Sequence, residues 1–468
     1  SADMETTRMK TATDVMGDGD GMTEHKPVAL GFDIETASAD RLYGETHDGG
    51  PFVRLIGAQG DRGPVIESDP GEIVPALQAA DAIYGHNFFR FDIPALARHA
   101  GADYDALAAK AWDTAILERL VDPPGAKHAT KTGYYSLDQV AQRYGHEGKT
   151  DDVKALALEH AGPDPGTQAE KVDRGFERIP LDVLNPYLVG DLEATRKVQR
   201  SVFARVTHWD YAPREMKVAA FQNRMTFNGW RVDKGLLAER VREEDARRSE
   251  AVRRLSTDYG VPLVKADGKP SLAPWATDTG RAALEDAFRQ LGAPYVARTK
   301  PSKGHPEGKL ALSKDVMGGG QDPYEWVNHE GRRVPTMTAA YADNPAVLEL
   351  CRVIGQATGA SAKYAEIARY VTKEGRVHGG IGEDQASGRW AMTKPSLTNL
   401  GKHGEKVQQR APFVPDWGHV LIAVDASQVD MRAIAAECQD AAYMALFTPG
   451  RDAHMDMAEV YFGERTKE

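Results

Sequence analysis

Cysteine is nearly absent from this 468-residue chain: only Cys351 and Cys438 are present. They lie too far apart to suggest a disulfide framework or a metal-ligand spacing, so both are expected to be ordinary reduced core residues. Long apolar runs are missing as well. None approaches the roughly 18 residues of a membrane-spanning helix, and the N-terminus lacks a charged-then-apolar signal pattern. The expectation is a soluble, cytoplasmic protein with no membrane partner. There is no internal repeat of about 20 to 50 residues, which argues against a solenoid or propeller. Basic charge is also in deficit, with 58 Lys and Arg against 69 Asp and Glu, a net charge of -11. That balance is unusual for a chain that would grip phosphates.

Net charge is not local charge, however. Basic residues gather in Lys300 to Lys309 and again in Arg389 to Arg410, both interspersed with Gly, Pro, Ser or Thr. Such stretches read as loops or short elements able to follow a phosphate backbone. With 41% hydrophobic residues, the chain is long enough for roughly two to four domains. Residues 1–26 have no apolar periodicity and are expected to be a disordered tail. From 27 to about 208, short apolar strands alternate with helical stretches at Ile73 to Ala80, Ile93 to Ala100, Trp112 to Val121 and Leu181 to Phe203, the pattern of an α/β domain. Residues 209–374 are mostly helical, interrupted near Asn228-Gly229. Residues 375–468 hold the second basic segment, an apolar run from Val420 to Val424 that predicts a buried strand, and a helix from Val429 to Cys438.

The sharpest local signal is Asp33-Ile34-Glu35, at the end of a strand-like run from Val28 to Phe32. Alternate strand residues point the same way. Both carboxylates therefore reach one spot, as a site for paired divalent cations requires. A second candidate is Asp92. The stretch Ile83 to Asp92 is an apolar strand ending in Gly85 and Asn87, with Asn87 placed to cap the next helix and Asp92 in that helix's first turn, where the dipole favours a carboxylate. The third is Tyr187 and Asp191, which share a helix face at i and i+4.

In this order, Asp-x-Glu, Asn-x-x-x-Phe-Asp and Tyr-x-x-x-Asp resemble the tyrosine subtype of the DEDD proofreading exonucleases, a ribonuclease H-like family. The resemblance implies that Asp33, Glu35, Asp92 and Asp191 hold two Mg2+ or Mn2+ ions and that Tyr187 orients the attacking water for hydrolysis of a 3′-terminal phosphodiester. Two such cations, roughly 4 Å apart, activate water on one side and stabilise the leaving oxygen on the other. Asn87, Phe88, Phe89 and Phe91 would lie near a splayed single-stranded 3′ end, where bases stack on aromatic rings; at least one of these rings must also serve the core.

A second set of motifs lies near the C-terminus. Asp425-Ala426-Ser427-Gln428-Val429-Asp430-Met431-Arg432 is similar to motif A of family A DNA polymerases. Ser387 to Trp390, Pro395 to Leu400, Gly450 to His454 and Phe227 to Asp233 resemble further segments of the same family. The resemblance spans nearly all the chain after the tail, with a bacteriophage-type flavour given by a compact exonuclease joined to a divergent polymerase half. It implies that Asp425 and the Ala426 carbonyl bind metal, that Ser427, Gln428 and Asp430 line the nucleotide site with Asp430 screening the sugar 2′-hydroxyl, and that Arg389, Lys394, Asn399 and Lys402 contact primer-template DNA. Two departures, Ala426 for Tyr and Asp430 for Glu, leave ribonucleotide exclusion open.

The fold expected from the resemblance is a ribonuclease H-like α/β exonuclease domain, then a mostly helical thumb, then a partial α+β palm. A fingers helix and a His-Asp-Glu motif are expected by family pattern but do not occur before Glu468. Phosphoryl transfer to a primer is therefore expected to need a second polypeptide or a longer precursor, the second polypeptide being favoured, with dNTP as the completed enzyme's substrate. The alternatives are a free-standing 3′-5′ exonuclease with a DNA-binding polymerase-like half, and a non-catalytic DNA-binding subunit. If the origin is a bacteriophage, the compartment is the bacterial cytoplasm.

Overall fold

The structure, a computed structural model, describes residues 28–123, 133–147, 153–265, 267–294, 296–319, 322–359, 363–382, 389–401 and 408–463. The 1–26 tail, Ser387, Gly388 and Lys402 lie outside the described residues. By its contacts the chain divides into two compact units, Ser1–Val414 and Pro415–Glu468. No helix among the described residues is long and apolar enough to cross a membrane.

The larger unit begins with a five-stranded mixed sheet. Its strands are β1 (Ala29–Thr36), β2 (Val53–Gly60), β3 (Gly63–Glu67), β4 (Ala82–Gly85) and β5 (Ala111–Asp113), in spatial order β3-β2-β1-β4-β5. β1, β2 and β3 pair antiparallel, while β4 and β5 run parallel to β1. The alternation of β1 decides its two faces. Phe32 and Ile34, opposite Ala58 and Ile56, enter the main core with Leu77, Ile83, Leu96 and Leu117. Asp33 and Glu35 point to the other face, opposite Gly57 and Leu55.

That second face is covered by the long helix Leu181–Phe203, whose Leu184, Leu188 and Leu192 pack with Leu55. The helix approaches so closely that a Cβ on Gly57 would lie 2.5 Å from Leu192 Cδ1. Glycine at 57 thus sets how near the helix comes to the two acids of β1.

One local expectation differs from the structure. The expected helix from Trp112 is a strand first: Ala111–Asp113 pairs with β4, and the helix begins only at Thr114, capped by the Asp113 side chain on the Ala115 N–H. The interruption expected near Asn228-Gly229 in the helical stretch beyond Tyr211 is present, and the two helices are Ala212–Asn228 and Lys234–Thr257. Between them Gly229 takes φ 64°, and Trp230–Arg231 pairs antiparallel with Arg376–Val377. A second apolar core joins Leu255, Phe288, Leu350 and Ile354, tying the Lys234–Thr257 helix to Pro345–Ala357.

In the smaller unit the predicted buried strand does not form. Val420 to Val424 has no ladder partner among the described residues, and Ile422 and Val424 are 80% and 90% exposed. An apolar run becomes a buried strand only where neighbouring strands satisfy its backbone and a second layer covers it. The following helix, Val429–Cys438, forms as the pattern predicts. Cys351 is buried, but Cys438 is exposed rather than part of a core.

Candidate functional site

The sheet and the long helix bring together acids that are far apart in sequence. One carboxylate oxygen each of Asp33, Glu35 and Asp191 lies within 4.8 Å of the others. The cause is the layering already described: Asp191 sits next to Leu192, the residue that packs over Gly57 beside β1. Asp33 and Glu35 are half-buried and Asp191 is buried. Three hard oxygen donors at this spacing suit a divalent cation such as Mg2+ or Mn2+.

Asp92 meets this group at Asp33. It is the first residue of the helix Asp92–His99 and is only 6% exposed. Burial, then the negative charge of neighbouring Asp33, hold its carboxyl well above the usual carboxylate range, and Asp33 and Asp92 share a hydrogen bond. A proton between two acids is what like charges at close range require when no cation balances them. Tyr187 lies one turn before Asp191 on the same helix and is half-buried.

The turn before Asp92 departs from its expected form. Asn87 does not cap the helix: it stands at φ 60°, and the N-cap position is Phe91, which makes no side-chain capping bond. Phe88 is 1% exposed and packs against Phe32 at 5.3 Å between ring centroids, so it is a core residue and not a platform for a base. Phe89 is equally buried. Phe91 is half-buried against Phe52, and Asn87 is exposed.

One residue that the sequence reading passed over is Asp113, 1% exposed at the end of β5. Its Oδ1 accepts the N–H groups of Asn87 at 2.8 Å and Ala115 at 2.9 Å. The signal available was an Asp directly before the apolar run Thr114 to Leu117, a helix-start pattern. Extending the helix back to Trp112 hid it.

The motif A residues are arranged differently. Asp425, Ala426 and Ser427 lie in exposed, irregular chain, and Asp430 is exposed in the first turn of Val429–Cys438. The Gln428 amide donates to Asp452 Oδ1 at 2.9 Å and lies 3.0 Å from His454 Nδ1. Arg432 donates to the Ser427 carbonyl at 2.9 Å and covers the Phe447 ring. Among the described residues, Asp425 belongs to no acidic cluster of the kind formed at Asp33. In the larger unit, the exposed Lys394 pairs with Asp40 at 3.0 Å, Asn399 donates to the Ser396 hydroxyl at 2.8 Å, and Arg389 is exposed.

Comparison with known proteins places residues 343–468 in a match to DNA polymerase family A. The chain is similar to family A DNA polymerases. DNA polymerase I of Caldicellulosiruptor bescii is 38% identical over 91 residues, 19% of this chain and 11% of that protein. The Chloroflexus aurantiacus enzyme of the same name is 25% identical over 330 residues, 68% of this chain and 32% of the relative. That of Pseudomonas aeruginosa is 23% identical over 380 residues, covering 78% and 36%. The chain thus spans about a third or less of these relatives. Among solved structures, the POL domain of Pol1 from M. smegmatis, in complex with DNA primer-template and dNTP, superposes with a TM-score of 0.56 at 18% identity, over 92% of this chain and 63% of that one. This likeness to family A polymerases is one of fold.

Proposed function

We propose that this chain is the N-terminal part or subunit of a proofreading family A DNA polymerase, and that its own catalytic activity is 3′-5′ exonuclease hydrolysis of DNA ends. The observation that carries the reading is the meeting of Asp33, Glu35 and Asp191 within 4.8 Å, with Asp92 hydrogen-bonded to Asp33. The sheet order β3-β2-β1-β4-β5 supports a ribonuclease H-like domain over 27–208, with thumb and partial palm assigned to 209–374 and 375–468.

Bound divalent ions, two per site, would supply an activated water and charge neutralisation at the leaving 3′ oxygen. The protein's part is to hold the donors. β1 fixes Asp33 and Glu35 on one face, the long helix fixes Asp191, and the start of the Asp92–His99 helix fixes Asp92. Tyr187 is assigned to orient the water, and Asn87 and Phe91 to contact the 3′-terminal nucleotide.

DNA-templated nucleotidyl transfer is assigned to Asp425 and its neighbours only when a fingers helix and the remaining palm acids are supplied by a second polypeptide or by further sequence. The uncovered Val420 to Val424 run supports this, since monomers rarely leave contiguous apolar surface bare. The test is end polarity. With Mg2+ or Mn2+, single-stranded DNA labelled at its 5′ end should be shortened stepwise, and DNA labelled at its 3′ end should release label as mononucleotide at once. Label released first from the 5′ end, or no digestion, would refute the reading.

A further inference from the structure

We infer that Asp113 is a positioning residue for the acidic cluster, acting through the left-handed turn at Asn87. This inference rests on the metal-dependent nuclease reading of that cluster.

The observations are geometric. Positive φ is uncommon outside glycine, and although asparagine tolerates it better than most residues, a hydrogen bond from outside the turn helps decide that it is kept. Asn87 stands at that angle. Its N–H is held by the Asp113 carboxylate at 2.8 Å, across 26 residues of sequence. The turn is then locked step by step: the Arg90 N–H donates to the Asn87 carbonyl and the Ile93 N–H to the Phe88 carbonyl. Those two bonds deliver the chain into the helix whose first residue is Asp92. On the inner side the turn has no slack. A Cβ on Gly85 would lie 2.5 Å from the Phe88 ring, so the ring seats directly on the end of β4.

Asp113 is itself well anchored. It closes β5 opposite Gly85, caps the Thr114–Val121 helix through the Ala115 N–H, and its own N–H contacts Met216 Sδ at 3.3 Å. A buried carboxylate with several backbone N–H groups is a rigid anchor, because it must keep them or leave a charge unsolvated in the core. It is also close enough to add to the negative potential felt by Asp92. Asp113 therefore sets the turn, and the turn sets where the Asp92 carboxyl meets Asp33. Without the anchor, Asn87 relaxes toward negative φ and Asp92 loses its fixed approach.

The test separates anchoring from capping. Asp113→Ser keeps a good N-cap for the Thr114–Val121 helix but is too short to hold the Asn87 N–H as well. Mn2+ binding is read by electron paramagnetic resonance on the full chain, alongside thermal unfolding. Losing a direct hydrogen-bond partner of a metal ligand typically costs 10- to 100-fold in metal affinity; Asp113 acts through the turn and not on a ligand, so the low end applies, and Asp113→Ser should bind Mn2+ about tenfold more weakly while unfolding near the wild-type temperature. Asp113→Asn, which keeps the accepting oxygen, should stay within about threefold of wild type. Adding Asn87→Gly to Asp113→Ser should recover much of the loss, because glycine adopts positive φ without strain. Wild-type affinity in Asp113→Ser, or no recovery with Asn87→Gly, would overturn the inference. A wild-type chain that binds Mn2+ yet digests no DNA would refute the exonuclease reading alone; a wild-type chain that binds no Mn2+ would remove both.

Discussion

The two carboxylate motifs of this chain differ in what surrounds them. Asp33 and Glu35 sit on a central strand, paired on both sides and covered by a long helix, and two further acids are delivered to them from distant sequence. Asp425 follows an apolar run that nothing among the described residues pairs or covers. Burial is what separates them. A site is preorganised when packing fixes its side chains before any ligand arrives, and among the described residues the first motif meets that condition while Asp425 does not.

The comparison can be broken first at the level of packing. Phe88→Ala removes a ring from the core beneath the Asp92 turn and should destabilise the larger unit by about 3–5 kcal/mol. Ile422→Ser, on the exposed run before Asp425, should change stability by no more than about 0.5 kcal/mol. Denaturant unfolding of the two variants decides it, and a similar cost for both would erase the contrast.

Metal binding should sharpen the difference. Mn2+ at about a hundredfold its dissociation constant should stabilise the wild-type chain by about 2.7 kcal/mol. The gain should vanish in Asp191→Asn and persist in Asp425→Asn. Thermal unfolding with and without Mn2+ reads both arms.

The smallest effect concerns protonation. The Asp92 carboxyl is held above its unfolded range near 3.9, so the folded chain binds a proton that the unfolded chain has released. Stability without metal should therefore fall as pH rises from the unfolded value through the raised folded one. Asp92→Asn should flatten that slope and raise the unfolding temperature at neutral pH in the presence of a chelator. A slope unchanged by the substitution would assign it to other groups.

What could be read from sequence follows the range of the interactions concerned. The strand alternation of Phe32, Asp33, Ile34 and Glu35 is local, and so is the i, i+4 relation of Tyr187 and Asp191; both appear in the structure as the pattern requires. The turn at Asn87 is not legible locally, because its N–H is held by Asp113, 26 residues away, which no local capping rule can see. Of the three rings expected near a 3′ end, at least one of them core, local sequence does not say which is buried; the close approach permitted by Gly85 draws Phe88 into the core. The Val420 to Val424 run has the composition of a buried strand, but composition specifies a preference for burial and not the neighbours that would provide it.

Digestion of 5′-labelled single-stranded DNA by the wild-type chain, Asp33→Ala and Asp425→Ala, compared side by side in Mn2+, tests the central claim most directly. The Asp33 cluster as the chain's catalytic centre predicts a loss of about a thousandfold or more, equivalent to about 4 kcal/mol of transition-state stabilisation, for Asp33→Ala alone, with Asp425→Ala equal to wild type. Unchanged digestion by Asp33→Ala, or a comparable loss in Asp425→Ala, would contradict it.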